Sequence, residues 1–484
     1  MPSILRAAIL VFVGLNLIVF LVRAVSVLRF GSLFGTTGGE CMMIYSVWKA
    51  MHGHAIYEWP LARPYSLSLY NYLFYFFYAV SLRLGGWWDA QILTYGRMLT
   101  AAFAALGAMV QWKLVAAKLT SRSQKYWCLL LCTALWFSTS FVRWWALTIR
   151  PDIPALALVM LGLLCLIKIG SHRGTLLAAI CFYLAWSFKQ SIAMTAAACI
   201  LYLFFVRRRS AFMLLAVLAT AVATTYWLGS SAYRYSVFVA PGVVSAFSLR
   251  NAVHSLQQPL MAGSYIWLPL LASLASPWKR DFDAKSLLRV SAVVGLIGGA
   301  AAMAKGGAAD NYLFEAFASA TTLLLIELFE NPTRRVAALL VALGCIQPAV
   351  QIGSQLLHKR QFGVLEIATL GEFDAAISLQ HRIQALPKPL LTSDEIFSLP
   401  WNSSDNSYPA YVIDPVFEFA AGKRYVDGGP VTLVENQHVP SLMLRPDDLD
   451  LRRALVGKYH KVGDEVHQNF HYEVFVRNQA PAKK

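Results

Sequence analysis

Residues 35–78 read GTTGGECMMIYSVWKAMHGHAIYEWPLARPYSLSLYNYLFYFFY, and the disposition of this stretch decides the topology of all that follows. It comes directly after a first apolar run, about Leu5 to Leu28. Its polar start carries one acid, Glu40. Cys41, Ile44, Tyr45, Trp48 and Met51 then fall on one face of a helix at 3.6-residue spacing. A Gly53-His54-Ala55-Ile56-Tyr57 turn follows, and then an aromatic segment too irregular for an ordinary core helix. The apolar part, Asn71 to Leu84, is 14 residues long, short of the roughly 20 that cross a bilayer. The next long run, about Gln91 to Ala116, ends in Lys113, Lys118, Arg122 and Lys125. A crossing at 71–84 would put that basic cluster outside, against the positive-inside rule. The stretch is therefore expected to lie against the membrane without crossing it, and Glu40 belongs to the outer side.

The whole chain supports a membrane reading. Of its 484 residues 57% are hydrophobic and only 14% charged, with a mean hydropathy of +0.52; soluble domains carry about 25% charged residues. The first run is too long for a cleaved signal, contains Arg23 and lacks a small-residue cleavage site, so it reads as a retained span. After Gln91–Ala116 the expected spans are Trp127–Phe141, Ile153–Ile169, Gly174–Trp186, Ser191–Phe205, Ala211–Trp227, Tyr265–Leu274, Ser286–Ala304, Tyr312–Leu328 and Val336–Leu356. The expected fold is a polytopic α-helical membrane protein of about eleven transmembrane helices, with juxtamembrane helices in a first outer loop, 31–90.

From about residue 358 the composition changes. Turn pairs (Asp427-Gly428, Asn402-Ser403-Ser404) and β-prone runs (Tyr411-Val412-Ile413, Tyr472–Val476) appear. The expected domains are a transmembrane unit, 1–357, and a small α/β extracytoplasmic unit, 358–484. The net charge of +16 sits in the first unit, which holds 28 Lys and Arg against 10 Asp and Glu. These cations fall in short loops between spans, which the positive-inside rule explains and which argues against nucleic acid as a partner. The seven cysteines lie in or beside apolar runs. Cys128 and Cys132 share a helical face but have no histidine or acidic partner, so neither a disulfide framework nor a zinc site is indicated.

Charges in the membrane unit that are not on the basic side need a reason, because they are costly there. Glu40, Glu58, Arg63, Arg97, Arg150, Asp152, Lys189, Lys305, Asp310 and Glu315 come from different loops and span ends yet share one face. Arg150-Pro151-Asp152 opens a helix, with Pro in the first turn and Asp152 at the positive end of the dipole; it also offers a second carboxylate to face Glu40. Lys189 and Arg97 sit between apolar segments, where cations suit a phosphate. His52 and His54 are the candidate metal ligands. The aromatic cluster Tyr70–Tyr78 with Trp87 and Trp88 fits an interfacial belt better than a sugar platform. No Gly-rich phosphate loop or nucleotide fingerprint is present. A lipid-linked donor needs only a pocket at the membrane rim.

Taken in order, Glu40, Gly53-His54-Ala55-Ile56-Tyr57, Tyr70-Asn71-Tyr72-Leu73, Gly96-Arg97, Arg150-Pro151-Asp152, Lys189-Gln190 and Asn311-Tyr312-x-x-Glu315 resemble the bacterial branch of the GT-C glycosyltransferases. That superfamily includes protein O-mannosyltransferases and the lipid A aminoarabinose transferase. The likeness runs from residue 1 to about 330, and Ala421-Gly422-Lys423 to Asp427 resembles the outer domain of such proteins. The resemblance implies an inverting hexosyl- or pentosyltransferase of the bacterial inner membrane. Its donor would be a polyprenyl-phosphate-linked sugar and its acceptor a cell-envelope glycan, lipid or protein. It implies Glu40 as base, Asp152 as a positioning group, and Arg97, Arg150 and Lys189 on the lipid phosphate, with Tyr57, Asn311 and Glu315 lining the substrate. Two positions depart from the pattern. Gly39 stands where many relatives have a second acid, which bears on divalent-metal dependence, and Tyr72 replaces a proline. A transporter or flippase of lipid-linked sugars is the competing class, and it predicts midplane charges and inverted repeats.

Overall fold

The first apolar run forms α1 (Ser3–Phe30), a helix with no polar face to speak of, as a bilayer span requires. The computed structural model describes residues 3–30, 32–36, 39–60, 62–63, 65–137, 142–243, 248–274, 281–305, 310–330, 340–346, 348–350, 352, 370–404, 425–467 and 470–478. The deciding stretch forms two short helices, α2 (Glu40–Met51) and α3 (Tyr72–Leu84), of 12 and 13 residues. Both are too short to cross a bilayer on their own. They pack on each other, and α3 also lies against the helices that follow.

Those are α4 (Gln91–Ala116), α5 (Arg122–Trp136), α6 (Asp152–Ile169), α7 (His172–Phe188), α8 (Met194–Val206) and α9 (Arg208–Leu228). Short segments α10 (Ser231–Arg234) and α11 (Ala240–Val243) come next, then α12 (Leu249–Ala262), α13 (Ser264–Leu274), α14 (Ala284–Ala302) and α15 (Phe314–Glu330). Among the described residues, six helices are long and apolar enough to cross a membrane: α1, α4, α6, α9, α14 and the stretch Asn311–Glu330. Four of the other expected spans are helices of 11 to 17 residues, α5, α7, α8 and α13. Of the last, Val336–Leu356, the described residues 340–346, 348–350 and 352 are helical. The expected number of about eleven thus exceeds what helix length alone supports.

Close packing of the bundle depends on glycine where helices meet. A Cβ on Gly107 of α4 would fall 2.2 Å from the Trp136 ring of α5. On α14, a Cβ at Gly295 would lie 2.9 Å from Ala316 N, and one at Gly299 would lie 2.6 Å from Tyr312 O. Both therefore let the start of α15 approach closely. α6 stops at Gly170, which takes the left-handed conformation (φ 60°) common at helix C-termini.

The C-terminal unit carries a four-stranded sheet of β1 (Leu390–Thr392), β2 (Ser441–Leu444), β3 (Tyr459–His467) and β4 (Phe470–Arg477), in the order β1-β2-β4-β3. β1 and β2 are parallel and the other pairs antiparallel. Helices α16 (Leu370–Gln384), α17 (Pro400–Ser403), α18 (Gly429–Glu435) and α19 (Leu449–Leu455) accompany it, an α/β arrangement. Tyr472–Val476 is strand as read and Asp427-Gly428 is a turn. Asn402 and Ser403 end a helical turn rather than forming an open loop, because Pro400 fixes the first-turn geometry. Tyr411–Ile413 and Ala421–Lys423 lie outside the described residues.

This unit sits on the first loop. Arg63 Nε donates to Asp427 Oδ2 at 2.8 Å, Tyr65 Oη donates to Asp427 Oδ1 at 2.6 Å, and Phe34 stacks on His467 with centroids 5.6 Å apart. Ile396 and Leu399 are buried in the same apolar cluster as the bundle core.

Candidate active site

Five of the charged residues singled out in the membrane unit, Glu40, Arg97, Arg150, Asp152 and Lys189, form two clusters at one end of the bundle. The first is built on Glu40, at the start of α2 where the helix dipole favours an acid. Its Oε1 accepts from Arg97 Nε (3.0 Å) and the Ile149 N–H (2.9 Å), and its Oε2 from Arg97 Nη2 (2.7 Å) and the Thr36 N–H (2.8 Å). Arg97 Nη2 also donates to Phe34 O at 2.7 Å. Both side chains are fully enclosed, at 0% exposure. Burial works to raise the Glu40 pKa, but the Arg97 guanidinium and the Ile149 N–H outweigh it and hold the carboxyl below its usual range. With four donors aimed at it, this carboxylate is saturated.

The second cluster follows three residues after Ile149. Asp152 opens α6 behind Pro151, and its Oδ1 accepts from Lys189 Nζ and, at 2.6 Å, from Asn311 Nδ2. Arg150 Nε stands 3.6 Å from Asp152 Oδ2, and no hydrogen bond reaches that oxygen. Asn311 Oδ1 is likewise buried with no hydrogen-bond donor. Arg150 Nε is also buried and makes no hydrogen bond. Buried polar atoms are ordinarily satisfied, so this cluster holds two acceptors and one donor that a ligand or water could engage.

Aromatic groups enclose these charges. Arg150 Nη2 donates to Tyr70 Oη at 2.5 Å and lies over the Trp145 ring, 4.5 Å from its centroid. Lys189 Nζ lies 5.0 Å from the Tyr312 ring centroid. Tyr312 and Trp145 have no role assigned from sequence, and Tyr70 is read there only as part of an interfacial aromatic belt. Tyr70 and Tyr312 stand inside the quoted motifs, so position was their only available signal. Trp145 gave none, since its place depends on the tight turn Arg143–Leu147.

The clusters are joined through the backbone. Glu40 holds Ile149 N, Thr36 Oγ1 donates to Thr148 Oγ1 at 2.8 Å, and Arg150 and Asp152 follow directly. Glu40 and Asp152 therefore share one end of the bundle, as the non-crossing reading of 71–84 requires.

Three expected site residues are engaged elsewhere. Tyr57 Oη donates to Tyr70 O at 2.6 Å and its ring packs on Tyr75 and Tyr233. It supports Tyr70 from behind. Glu315 caps α8, accepting from the N–H groups of Thr195 (2.7 Å) and Met194 (3.2 Å). Arg97 is committed to Glu40 and Phe34. His52 and His54 stack on Trp48, with centroids 4.3 and 5.5 Å from it, and the acid beside His52 is Asp89 at 3.8 Å. Among the described residues no group of three His, Cys, Asp or Glu side chains could hold a metal ion. Among the described residues, His52, His54 and Asp89 do not make up a metal-ligand set.

No family model matches this chain, and no curated protein matches it. Among solved structures it is similar to ArnT from Cupriavidus metallidurans. The undecaprenyl-phosphate-bound form aligns with a TM-score of 0.57 and the apo form with 0.60. Each is 12% identical, over 96% of this chain and 97% of that one. The arabinofuranosyltransferase AftD from mycobacteria aligns with a TM-score of 0.49 at 14% identity, over 98% of this chain and 40% of that one. The ArnT likeness is one of fold, and it extends over nearly the whole of both chains.

Proposed function

Starting from a chain with the GT-C fold, we propose that it is an inverting glycosyltransferase that moves a sugar from a polyprenyl-phosphate carrier to a hydroxyl of a cell-envelope acceptor. The observation that carries this reading is the open Oδ2 of Asp152, a buried carboxylate oxygen 3.6 Å from Arg150 Nε, while Lys189 and Asn311 hold the other oxygen of the same group. In the reaction, the acceptor hydroxyl oxygen bonds to the anomeric carbon while the bond from that carbon to the phosphate oxygen breaks. The electron pair leaves with the lipid phosphate, and the hydroxyl proton passes to a carboxylate.

Asp152 Oδ2 is the acceptor of that proton in this reading. A carboxylate suits the task because the attacking hydroxyl becomes acidic only as the new bond forms. Lys189 and Arg150 face the departing phosphate and offset its growing charge. The Asn311 amide aligns Asp152, and Tyr70 and Trp145 hold the Arg150 guanidinium. Glu40 and Arg97 act one step back, setting the Thr148–Asp152 segment through Ile149 N. The roles first expected of Glu40 and Asp152 are thus exchanged, because a carboxylate with four donors is a poor proton acceptor and an open one is a better candidate. Transfer is favoured over transport because the ion pairs gather at helix ends. The polar group of Gln111, Thr321 and Thr322 within the helices, joined by Trp136 at the end of α5, carries no charge.

The test is in vitro transfer with the purified protein from a panel of polyprenyl-phosphate sugars to cell-envelope glycan. Asp152→Asn is expected to lower the rate by about 10²-fold or more. Glu40→Gln is expected to lower it less and to leave the shape of the pH–rate profile unchanged. Equal product from wild type and Asp152→Asn would sink the assignment. Loss of the acidic limb in Glu40→Gln would return the role of base to Glu40.

A further inference from the structure

Another carboxylate reaches this end of the bundle from the C-terminal unit. β1 ends at Thr392, and the chain turns at once through Ser393, Asp394 and Glu395. The turn is firmly built. Thr392 Oγ1 accepts from Asp394 N (3.0 Å), and Asp394 Oδ1 accepts from the N–H groups of Ile396 (2.9 Å) and Phe397 (3.1 Å). The Ser393 hydroxyl donates to Asp448 and accepts from Arg445 N at 3.2 Å. Just beyond, Ile396 and Leu399 insert into the apolar core of the bundle, exposed to 2% and 0%. The segment that carries Glu395 is therefore seated in the membrane unit.

Glu395 itself is exposed. Its Oε1 accepts from the Gly39 N–H at 3.5 Å, one residue before Glu40. Glu395, Glu40 and Asp394 all act on the thiol of Cys41, which burial first of all and then these acids push well above its usual pKa. Gly39 has φ +76°, the left-handed conformation that favours glycine. The charges at this end are thus sorted. Lys189 and Arg150 suit a phosphate. An exposed carboxylate repels a phosphate and, being an acceptor only, binds groups that donate.

We infer that Glu395 is an acceptor-binding residue: the C-terminal unit, through the turn 392–397 seated against Gly39 and Glu40, supplies a carboxylate that binds the hydroxyl groups of the incoming acceptor. This rests on the transferase reading above. It makes the C-terminal unit one wall of the site, and it places at that wall an acid carried by the other unit, next to the position where Gly39 carries none.

The experiment compares wild type, Glu395→Gln and, as a control that loosens the same domain contact elsewhere, Asp427→Asn. Each is assayed for acceptor KM and kcat in the transfer reaction, for binding of undecaprenyl phosphate, and for melting temperature. Glu395→Gln is expected to raise the acceptor KM by about tenfold or more, the scale of a lost hydrogen bond to a charged group. Its kcat, undecaprenyl phosphate affinity and melting temperature should stay at the wild-type values, whereas Asp427→Asn should leave the acceptor KM unchanged. An unchanged acceptor KM in Glu395→Gln overturns the inference. So does a fall in lipid affinity and melting temperature matching that of Asp427→Asn, which would make Glu395 a domain latch. A wild type that neither binds undecaprenyl phosphate nor transfers sugar overturns the transferase reading, and this assignment with it.

Discussion

Glu40 and Arg97 show how little of a buried ion pair's part can be read from residue type. From sequence, an acid at the start of an amphipathic helix and a cation inside a span were both assigned to substrate. The structure closes them on each other, 57 positions apart, with every lone pair of the carboxylate directed at a donor. Spacing along the chain could not reveal this, because the pairing is set by how α2 packs on α4. It leads to a stability prediction. Arg97→Met leaves a buried, uncompensated carboxylate and should destabilise the protein by about 3–5 kcal/mol. Adding Glu40→Leu should recover part of that loss, short of the wild type because Ile149 N and Thr36 N lose their acceptor. Thermal melts of the two single variants and the double variant in one detergent check this, and a double variant no better than Arg97→Met would refute it. By contrast, Asp152 and Lys189 were legible as charges that need a partner, and the structure pairs them. Each sits at the end of an apolar helix, where a charge in a membrane protein has few other reasons to persist.

At the scale of elements, the length of Asn71–Leu84 carried the most information. Its helix has 13 residues, and reading it as non-crossing puts Glu40 and Asp152 at one end of the bundle. Helix existence was also legible, and α4 has the bounds read from sequence. The number of spans was less so, because helices of 11 to 17 residues lie near the limit at which hydropathy decides. The glycines on α14 were invisible as site residues. Gly299 lies under Tyr312 O, so it fixes how deeply the turn Asp310–Leu313 settles and hence where Asn311 meets Asp152. Gly299→Ala should push that turn outward, costing about 1–3 kcal/mol through overpacking. It should also lower transfer activity more than Gly107→Ala does, although Gly107 is as tightly packed against Trp136. Melting temperature and rate measured side by side separate the two; equal losses of activity would refute the link from Gly299 to Asn311.

At the scale of the molecule, the docking of the C-terminal unit should respond to pH. His467 is buried between Phe34 and Phe397, with Leu33 and Asp394 as its polar neighbours. Burial pushes its pKa below the ordinary value, and Asp394 and the Leu33 carbonyl only partly oppose this. A histidine whose folded pKa is depressed binds its proton more readily when undocked. The docked state is thus most stable above the ordinary histidine pKa of about 6.5 and weakens as pH falls from there toward the depressed value. Limited proteolysis within residues 370–404 at pH 7.5 and pH 5.5 should show faster cleavage at the lower pH. His467→Gln should flatten that difference, and an equal pH response in the variant would exclude His467 as its source. None of this was legible in the sequence, since Phe34 and His467 are more than 400 positions apart.

The seating of Ile396 and Leu399 in the bundle core also has a consequence for how the protein is made. A chain emerging from the ribosome in order presents Glu40 early, and the helices through α7 can close Asp152 onto Lys189 while the remainder is still being synthesised. The turn that carries Glu395 arrives hundreds of residues later, and domains complete in the order of their synthesis. The ionic clusters are thus assembled before the wall beside them. On the reading advanced above, a nascent or truncated chain holds the groups for the lipid phosphate but lacks the grip on an acceptor, and gains it only when the last domain docks.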